Sequence, residues 1–436
     1  IIAMHTLNQL VSGELKGSKI LKLSCQLNTF PQQIFDLADT LEILDLSNNN
    51  LSQLPSNFSD LKKLKIAFFS ENNFTNFPDV FSTCQSLTMI GFKSNKIKFI
   101  PENAFPKHLQ WLILTNNLIE ELPKSIGNCI KLQKVALAGN KLKSLPKEMV
   151  NCKNLELLRI SANSISQFPD FLFELPRLAW LAFAGNPCHK TSVNLDKLNL
   201  MEWDRLTILE QLGEGASGHI YKAIFNDAVN TKEVAVKIFK GEVTSDGYPE
   251  DEMNACIAVD NHKNLVNTVA KIQHHPQQKL GLVFEIIPQN YFNLAGPPSF
   301  ETCTRDTFKA GTVFSLQSIL KITSSIADAC YHLHVRGIMH GDLYAHNTLI
   351  DENANTIFGD FGAASFYNTN KEEASYFERI DVRAFGCLID DLLMNCDKSE
   401  MNHPTFKKLE LLKQKCWEND ILQRPSFKEI MSYLKE

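Results

Sequence analysis

The sequence lacks long apolar runs and an excess of basic residues. No apolar stretch approaches the roughly 18 residues that a membrane-spanning helix requires. The start, IIAMHTLNQL, has no charged segment followed by an apolar core. Lysine and arginine number 44 against 49 acidic residues, without the basic runs that nucleic-acid binding requires. These absences predict a cytoplasmic protein with no membrane span and no nucleic-acid partner, although a processed N-terminus would hide a secretion signal.

Paired cysteines are also missing. The 11 cysteines include no C-x-x-C pair and have no accompanying histidine cluster, which disfavours a disulfide framework or a zinc site. A reducing compartment fits this usage. At 436 residues the chain is long enough for two or more domains, each with its own core.

A leucine pattern recurs through the first half of the chain with a nearly constant period. Each unit reads L-x-x-φ-x-φ-x-x-N-x-φ, where φ is apolar. The units begin at Leu41, Leu64, Leu87, Leu109, Leu132, Leu155 and Leu178. We expect the amide of each repeated asparagine to satisfy backbone groups of the adjoining coil, because buried polar side chains need hydrogen-bond partners.

This pattern resembles the leucine-rich-repeat family over residues 18–190, in about eight coils of ~23 residues. The resemblance implies a horseshoe-shaped solenoid with a parallel inner sheet. Residues 1–17 are expected to form an N-terminal cap.

The inner face of the predicted solenoid is unusually apolar. Side chains between the core leucines should point out of the inner sheet, because neighbours alternate faces in a strand. The partner-binding candidates there are Phe68, Trp111, Ile113, Arg159 and Trp180. The two tryptophans are the candidate anchors, since aromatic residues supply large rigid contact areas. Three interpretations stay open: a protein partner binds this face, the rest of the chain covers it, or it has no role.

A glycine-rich turn opens the second half. Gly213, Gly215 and Gly218 form G-x-G-x-x-G, which is weak evidence alone. An apolar stretch precedes it, and the strand-like EVAVKIF follows with Lys237 near its centre. Glycines let backbone N–H groups approach phosphate oxygens, and a lysine on the next strand can reach α- and β-phosphates.

A lysine in this role needs an anionic partner. We expect a helix in PEDEMNACIAVDNHKNLV, where Glu252 is the best-placed acid and Glu250 the alternative.

Two short motifs carry the candidate chemistry. HGDLYAHN, residues 340–347, brings Asp342 and Asn347 into one short loop, and FGDFGAAS contains D-F-G with Asp360. With Lys237 these residues complete the charge set of phosphoryl transfer, which is two metal ligands, one lysine and one base. ATP and Mg²⁺ are the predicted cofactors.

The motifs follow one another in the order of the protein kinase family, which the chain resembles over residues ~205–436. The resemblance implies a bilobal α+β domain at 204–436 behind a linker at 191–203. It implies that Asp342 orients and deprotonates the acceptor hydroxyl, while Asn347 and Asp360 coordinate magnesium.

The same resemblance implies further roles. Positions expected around the adenine base, with a gatekeeper at Phe284, are Ile220, Ala235, Phe284, Glu285, Ile287 and Leu349. Residues expected to support the site are Phe361, Asp381 and Arg424. Asp381 should accept N–H bonds from the catalytic loop.

The catalytic loop departs from the family pattern at two places. Gly341 replaces the usual arginine, which commonly contacts a phosphate on the activation segment, so activity is not expected to depend on phosphorylation there. Tyr344 and His346 stand where protein kinases place a lysine or arginine. His346 can supply that charge only when protonated, which predicts a modest or pH-dependent rate.

The activation segment is short. Gly362 and Asp381 are separated only by AASFYNTNKEEASYFERI, and no A-P-E triplet occurs in that stretch. Arg424 must therefore pair elsewhere, with Glu378 as a candidate, or stand exposed. Residues 288–314 are expected to form an ordered loop that either belongs to the acceptor site or packs on the lobe.

The leading hypothesis is an ATP- and magnesium-dependent kinase acting on protein hydroxyls, including its own, with the substrate selected by the repeats. H-G-D and the short segment also suit a small-molecule phosphotransferase. A third alternative is a nucleotide-binding pseudokinase that serves as a scaffold.

Overall fold

The computed structural model describes residues 4–189, 198–226 and 231–435. The chain divides into two compact units: Ile1–Leu175 with Asn186–Cys188, and Pro176–Gly185 with His189–Glu436. The linker predicted at 191–203 falls mostly outside the described residues. The predicted domain boundaries remain predictions.

The repeat region forms one parallel sheet of eight short strands in sequence order. The strands are β1 Ile20–Lys22, β2 Ile43–Asp45, β3 Ile66–Phe68, β4 Met89–Gly91, β5 Trp111–Ile113, β6 Lys134–Ala136, β7 Leu157–Arg159 and β8 Trp180–Ala182. Short 3₁₀ turns follow the prolines, as at Gln32–Leu37 and Lys124–Asn128. Helix α1 (Leu7–Val11) precedes the sheet, and Thr6 caps it.

The repeated asparagines bind backbone groups of neighbouring coils, as the sequence predicts. Asn117 is representative: its Oδ1 accepts from Ile97 N at 3.0 Å, and its Nδ2 donates to Phe92 O at 2.8 Å and Leu114 O at 3.0 Å. These hydrogen bonds connect the backbone of each coil to the backbone of the preceding coil, at positions that are buried from water.

The second unit contains a six-stranded sheet in the order β10-β11-β12-β14-β13-β9. Its strands are β9 Asn199–Glu202, β10 Leu206–Glu214, β11 Gly218–Asn226, β12 Thr231–Phe239, β13 Thr268–Gln273 and β14 Gly281–Glu285. Helix α2 (Pro249–Val259) lies between β12 and β13 in the chain. The core of this lobe is built by Val234, Val236, Ile238 and Val283 among other aliphatic residues.

A mainly helical lobe follows. Its helices are α3 Leu316–Val335, α4 Ala374–Met394, α5 Pro404–Cys416 and α6 Phe427–Lys435. Its short strands are β15 Phe292–Asn293, β16 Ile338–Met339, β17 Thr348–Ile350, β18 Thr356–Phe358 and β19 Ser365–Phe366. Among the described residues, no helix is long and apolar enough to cross a membrane.

Asn117→Ala should lower the free energy of unfolding by about 1–3 kcal/mol, because it leaves buried backbone groups without partners. Asn50→Ala is the control, since this asparagine is exposed and bonds a single carbonyl. Its change should stay within about 0.5 kcal/mol. Urea unfolding followed by circular dichroism measures both variants. Equal losses in the free energy of unfolding would contradict the stabilising role given to the repeated buried asparagines.

Candidate active site

The glycine-rich turn joins β10 to β11. Gly215 N donates to Gly218 O at 2.9 Å, which closes the turn. A Cβ at Gly218 would lie 2.5 Å from Ile238 O, whereas Gly213 and Gly215 face open space within 4 Å. Gly218 therefore lets β11 approach β12 closely, and the two open glycines leave room above the sheet for a ligand.

Lys237 on β12 and Glu252 on α2 form a buried ion pair. Burial alone would lower the pKa of Lys237, but the carboxylates of Glu252 and Asp360 outweigh it and raise the pKa above its ordinary value. Burial also raises the pKa of Glu252, although Lys237 opposes that shift. The ammonium is thus charged and held by one partner. The alternative acid, Glu250, is exposed.

Some of the positions predicted to contact adenine are paired across the strands that carry this lysine. Ile220 pairs with Lys237 across β11 and β12, and Ala235 pairs with Phe284 across β12 and β14. Ile220, Ala235, Ile287 and Leu349 are half-buried, Phe284 is buried, and Glu285 is exposed at the end of β14. Side chains that are partly covered at the margin of a lobe are suited to line a cleft.

The catalytic loop brings Asp342 and Asn347 together. Asn347 Nδ2 donates to Asp342 Oδ2 at 2.8 Å and to Asp342 O at 3.0 Å. These bonds hold the Asp342 carboxylate in place. Because they use the NH₂ group of Asn347, the amide oxygen of Asn347 lies on the edge that faces away from Asp342. The amide oxygen of Asn347, a candidate metal ligand, is thereby set beside Asp342, the candidate base.

Asp381 holds the catalytic loop in place through hydrogen bonds. Its carboxylate is fully buried and accepts from His340 N at 2.7 Å and Gly341 N at 3.0 Å, as predicted. His334 Nε2 lies 3.0 Å from the same carboxylate, and His334 Nδ1 lies 2.8 Å from the hydroxyl of Tyr367. The catalytic loop and the following segment are therefore joined through one acid.

Asp360 adopts a left-handed backbone conformation, with φ of 59°. Such a conformation is unfavourable for a non-glycine residue and is common at functional sites. Phe361 is buried with its ring centroid 5.4 Å from that of His340. The negative charge of Asp360 also helps to raise the pKa of both Lys237 and His346.

The donor set at Asn347 and Asp360 fits a magnesium ion. Both side chains offer oxygen, which is the ligand atom that Mg²⁺ prefers. Within the described ranges, no three His, Cys, Asp or Glu side chains form a metal-binding group. A site with so few protein ligands suits an ion that phosphate oxygens complete.

His346 has a partner that sequence reasoning missed. Asp306 Oδ2 accepts from His346 N at 3.0 Å, and Asp306 Oδ1 lies 2.6 Å from His346 Nδ1. Burial alone would lower the pKa of His346, but Asp306 outweighs it and raises the pKa. Asp306 lies in the unusual stretch 288–314. The only sequence signal for its contact with His346 was an acidic residue in a loop rich in glycine and proline.

The stretch 288–314 is a loop that packs on the helical lobe. Arg305 donates to Asp390 at 2.9 Å and to Cys387 O at 3.0 Å, both on α4. Asp306, the next residue, contacts the catalytic loop. The loop therefore packs on the lobe, and through Asp306 it also supports the candidate site.

The short activation segment leads directly into α4. Strand β19 pairs with β16, and α4 begins at Ala374, shortly after β19 ends at Phe366. Ser365 is fully buried, and the Tyr367 hydroxyl bonds His334. Between β19 and α4 the chain has no room for an extended platform.

Arg424 corrects a prediction. It neither pairs with Glu378 nor stands exposed, since it is 1% exposed. Its guanidinium donates to three carbonyl oxygens: Glu418 O and Pro176 O at 2.8 Å, and Arg379 O at 3.1 Å. Glu378 instead accepts from Phe427 N at 2.8 Å. Backbone carbonyls thus replace the acidic partner, and sequence spacing cannot reveal such contacts.

Two partner-binding candidates are buried, and for Trp180 this agrees with the alternative that the rest of the chain covers the residue. Arg159 is 3% exposed and Trp180 is 1% exposed, so neither can anchor a partner in this structure. Trp180 stacks on Tyr344, with ring centroids 4.4 Å apart. Phe68, Trp111 and Ile113 are half-buried and keep part of their surface available. The Lys134 ammonium lies 4.2 Å from the Trp111 ring centroid.

Two protein-family models match parts of the chain. The model of the protein kinase domain matches residues 206–384, and the leucine-rich-repeat model matches residues 40–61. The predicted family and fold class are thereby confirmed.

Curated relatives agree with this assignment. A probable serine/threonine-protein kinase of Dictyostelium discoideum is 25% identical over 276 residues, covering 54% of this chain and 28% of the relative. Serine/threonine-protein kinase STY46 of Arabidopsis thaliana is 26% identical over 264 residues, covering 52% and 43%. CTD kinase subunit alpha of Schizosaccharomyces pombe is 28% identical over 174 residues, covering 39% and 26%.

The chain spans less than half the length of these relatives. The match to the kinase model, residues 206–384, includes the residues of the catalytic loop. The chain therefore contains a protein kinase domain, the domain of a phosphotransferase, preceded by a leucine-rich-repeat region.

Proposed function

We propose that this chain is an ATP- and magnesium-dependent protein kinase that transfers the γ-phosphate to protein hydroxyls, including its own. The observation that carries the proposal is the completeness of the charge set. Lys237 is paired with Glu252, Asp342 is fixed by Asn347, and Asp360 follows in the D-F-G motif. Phosphoryl transfer depends mainly on positioning and electrostatic stabilisation, and these residues supply both.

Each residue has a distinct part in the proposed reaction. Lys237 neutralises the α- and β-phosphates, and the glycine turn covers them with backbone N–H groups. Asn347 and Asp360 would hold a magnesium ion, which would supply positive charge to screen the phosphates. Asp342 accepts the hydroxyl proton as the acceptor oxygen bonds to the γ-phosphorus and the bond to the ADP oxygen breaks.

We propose serine and threonine as the preferred acceptors and the repeats as the substrate-selecting surface. Two of the relatives described above are named serine/threonine-protein kinases, which supports the first part. Phe68, Trp111 and Ile113 keep exposed apolar surface on the repeat sheet, and such surface is typical of contact sites. Tyrosine is the third acceptor class that the proposal allows.

A small-molecule phosphotransferase is the second candidate. It is favoured by the direct passage from β19 into α4, because an enzyme that binds no extended peptide needs no platform there. Acceptor identity separates the two candidates, since phosphate appears on protein in one and on a metabolite in the other.

Asp342→Asn should reduce phosphate incorporation by about 10²–10⁴-fold, the usual contribution of a general base. Intact-mass spectrometry before and after incubation with Mg-ATP measures this, since each phosphate adds about 80 Da. Asp260→Asn is a matched control, because the Asp260 side chain is 70% exposed. Equal incorporation in Asp342→Asn and wild type would contradict the proposal, whereas ATP consumption without protein labelling would favour the second candidate.

Glu252→Gln should lower kcat/KM for ATP by at least about tenfold, equivalent to ~1.4 kcal/mol of transition-state stabilisation. The amide cannot hold the charged Lys237 in place. Glu250→Gln changes a nearby exposed acid on the same helix and should stay within about twofold. Steady-state kinetics at varied ATP measures both variants, and similar values for the two would refute the assignment of Glu252.

Autophosphorylation should fall on Thr369 in preference to Ser365 or Tyr367. Thr369 is exposed, while Ser365 is buried and accepts from Phe183 N, and Tyr367 already bonds His334. Ser375 is half-buried and should be labelled less than Thr369. Phosphopeptide mapping after incubation with Mg-ATP measures the ratio, and phosphate chiefly at Ser365 would contradict this order.

A further inference from the structure

The segment Pro176–Gly185 belongs to the second unit and contacts its catalytic loop. Trp180 Nε1 donates to Leu343 O at 3.1 Å. The Trp180 ring stacks on Tyr344, with centroids 4.4 Å apart and planes inclined by only 4°. Both rings are buried, at 1% and 5% exposure. Trp180 therefore contacts the two residues that directly follow Asp342.

The residue before Asp342 is constrained by the same segment. Gly341 has φ of +70°, a conformation that other residues rarely adopt. A Cβ there would collide with Leu181 O and would lie 2.9 Å from Ala363 O. Glycine is thus required at 341 by the segment and by the backbone angle. The arginine usual in the protein kinase family cannot be accommodated here.

The segment also contacts the short activation segment and α4. Phe183 N donates to Ser365 Oγ at 3.0 Å, and the Phe183 ring stacks on Phe377 with centroids 5.3 Å apart. At its start, Pro176 O accepts from Arg424 at 2.8 Å. One short stretch of chain therefore joins the catalytic loop, β19 and α4.

We propose that Pro176–Gly185 is a positioning element for the catalytic loop, with Trp180 as the positioning residue that sets the place of Asp342 in phosphoryl transfer. The proposal rests on the kinase activity proposed above. The segment bonds Leu343 after Asp342 and lies directly against Gly341 before it, while Asp381 accepts the N–H of Gly341.

The size of the expected effect follows from the geometry of transfer. Displacing a catalytic group by about 1 Å can cost on the order of 10²-fold in rate. Loss of the Trp180 ring removes both the hydrogen bond to Leu343 O and the stacking on Tyr344. Nucleotide binding should be unaffected, because Lys237 and Glu252 pair with each other in the other lobe.

The test compares three variants of the full chain with wild type. Trp180→Ala should lower kcat for phosphate incorporation by about 10- to 100-fold, with the Kd for Mg-ATP unchanged within about threefold. Trp180→Phe keeps an aromatic ring but loses the N–H donor, so its loss should be smaller. Phe99→Ala is the control, since it also removes an aromatic ring from the repeat region, but one that is 55% exposed, and it should stay within about twofold.

A double-mutant cycle with Tyr344→Ala tests the stacking contact. If Trp180 acts on the loop through Tyr344, the double variant should lose much less than the product of the two single losses in kcat. Multiplying losses, or an unchanged kcat in Trp180→Ala alongside a lowered melting temperature, would overturn the proposal and leave Trp180 a merely structural residue.

Hydrogen–deuterium exchange separates this proposal from the kinase proposal. In Trp180→Ala the amides of 340–347 should exchange faster than in wild type or Phe99→Ala, while those of 231–239 stay unchanged. This outcome does not depend on catalysis. Unchanged exchange at 340–347 would overturn the positioning role even if the chain is an active kinase, whereas absent phosphate transfer in wild type would count against the kinase proposal alone.

Discussion

The buried carboxylate of Asp381 is the contact on which the candidate site depends. A buried charge is costly unless it is fully hydrogen-bonded, and Asp381 receives two backbone N–H groups of the catalytic loop and lies beside His334. Because those N–H groups belong to His340 and Gly341, the position of Asp342 follows directly. The Tyr367 hydroxyl bonds the other nitrogen of His334, so the short activation segment is linked to the same carboxylate.

The shortened activation segment changes how the helical lobe is held together. The chain passes from β19 into α4 without an intervening platform, and Arg424 finds backbone carbonyls in place of an acid. The loop 288–314 adds a second support through Asp306, which binds the backbone and ring of His346. Of these contacts, that of Asp306 supports the catalytic loop directly, while those of Arg424 join the start of α4 to the chain before α6.

Local patterns in the sequence predicted much of the fold. The asparagine column and the regular spacing of the leucines give the repeat sheet, because each coil contacts only its neighbours. The G-x-G-x-x-G turn, EVAVKIF and HGDLYAHN predicted a kinase fold, because their geometry is set within a few residues of chain. The structure pairs Lys237 with Glu252, as these motifs led us to expect, and it adds a bond from Asn347 to Asp342 that they did not predict.

Contacts between residues distant in the chain could not be predicted in this way. Trp180 was expected to be an exposed anchor because it occupies an outward-facing strand position of the repeat. Its ring instead lies against Tyr344, which is far away in the sequence. Arg159 is also buried, although the pattern of its own repeat predicts an exposed side chain. The partners of Arg424 are carbonyl groups, which any residue type can supply, and Asp306 lies in a loop without a recognisable motif.

The central claim is that the HGDLYAHN loop transfers phosphate to a protein hydroxyl. A single-turnover reaction with γ-labelled ATP and magnesium tests it most directly, followed by denaturation in acid and separation of protein, nucleotide and inorganic phosphate. A protein kinase should give acid-stable label in the protein fraction, in serine or threonine, appearing as ATP is consumed. Label found only in ATP or inorganic phosphate, with the protein unlabelled even when candidate protein substrates are supplied, would contradict it.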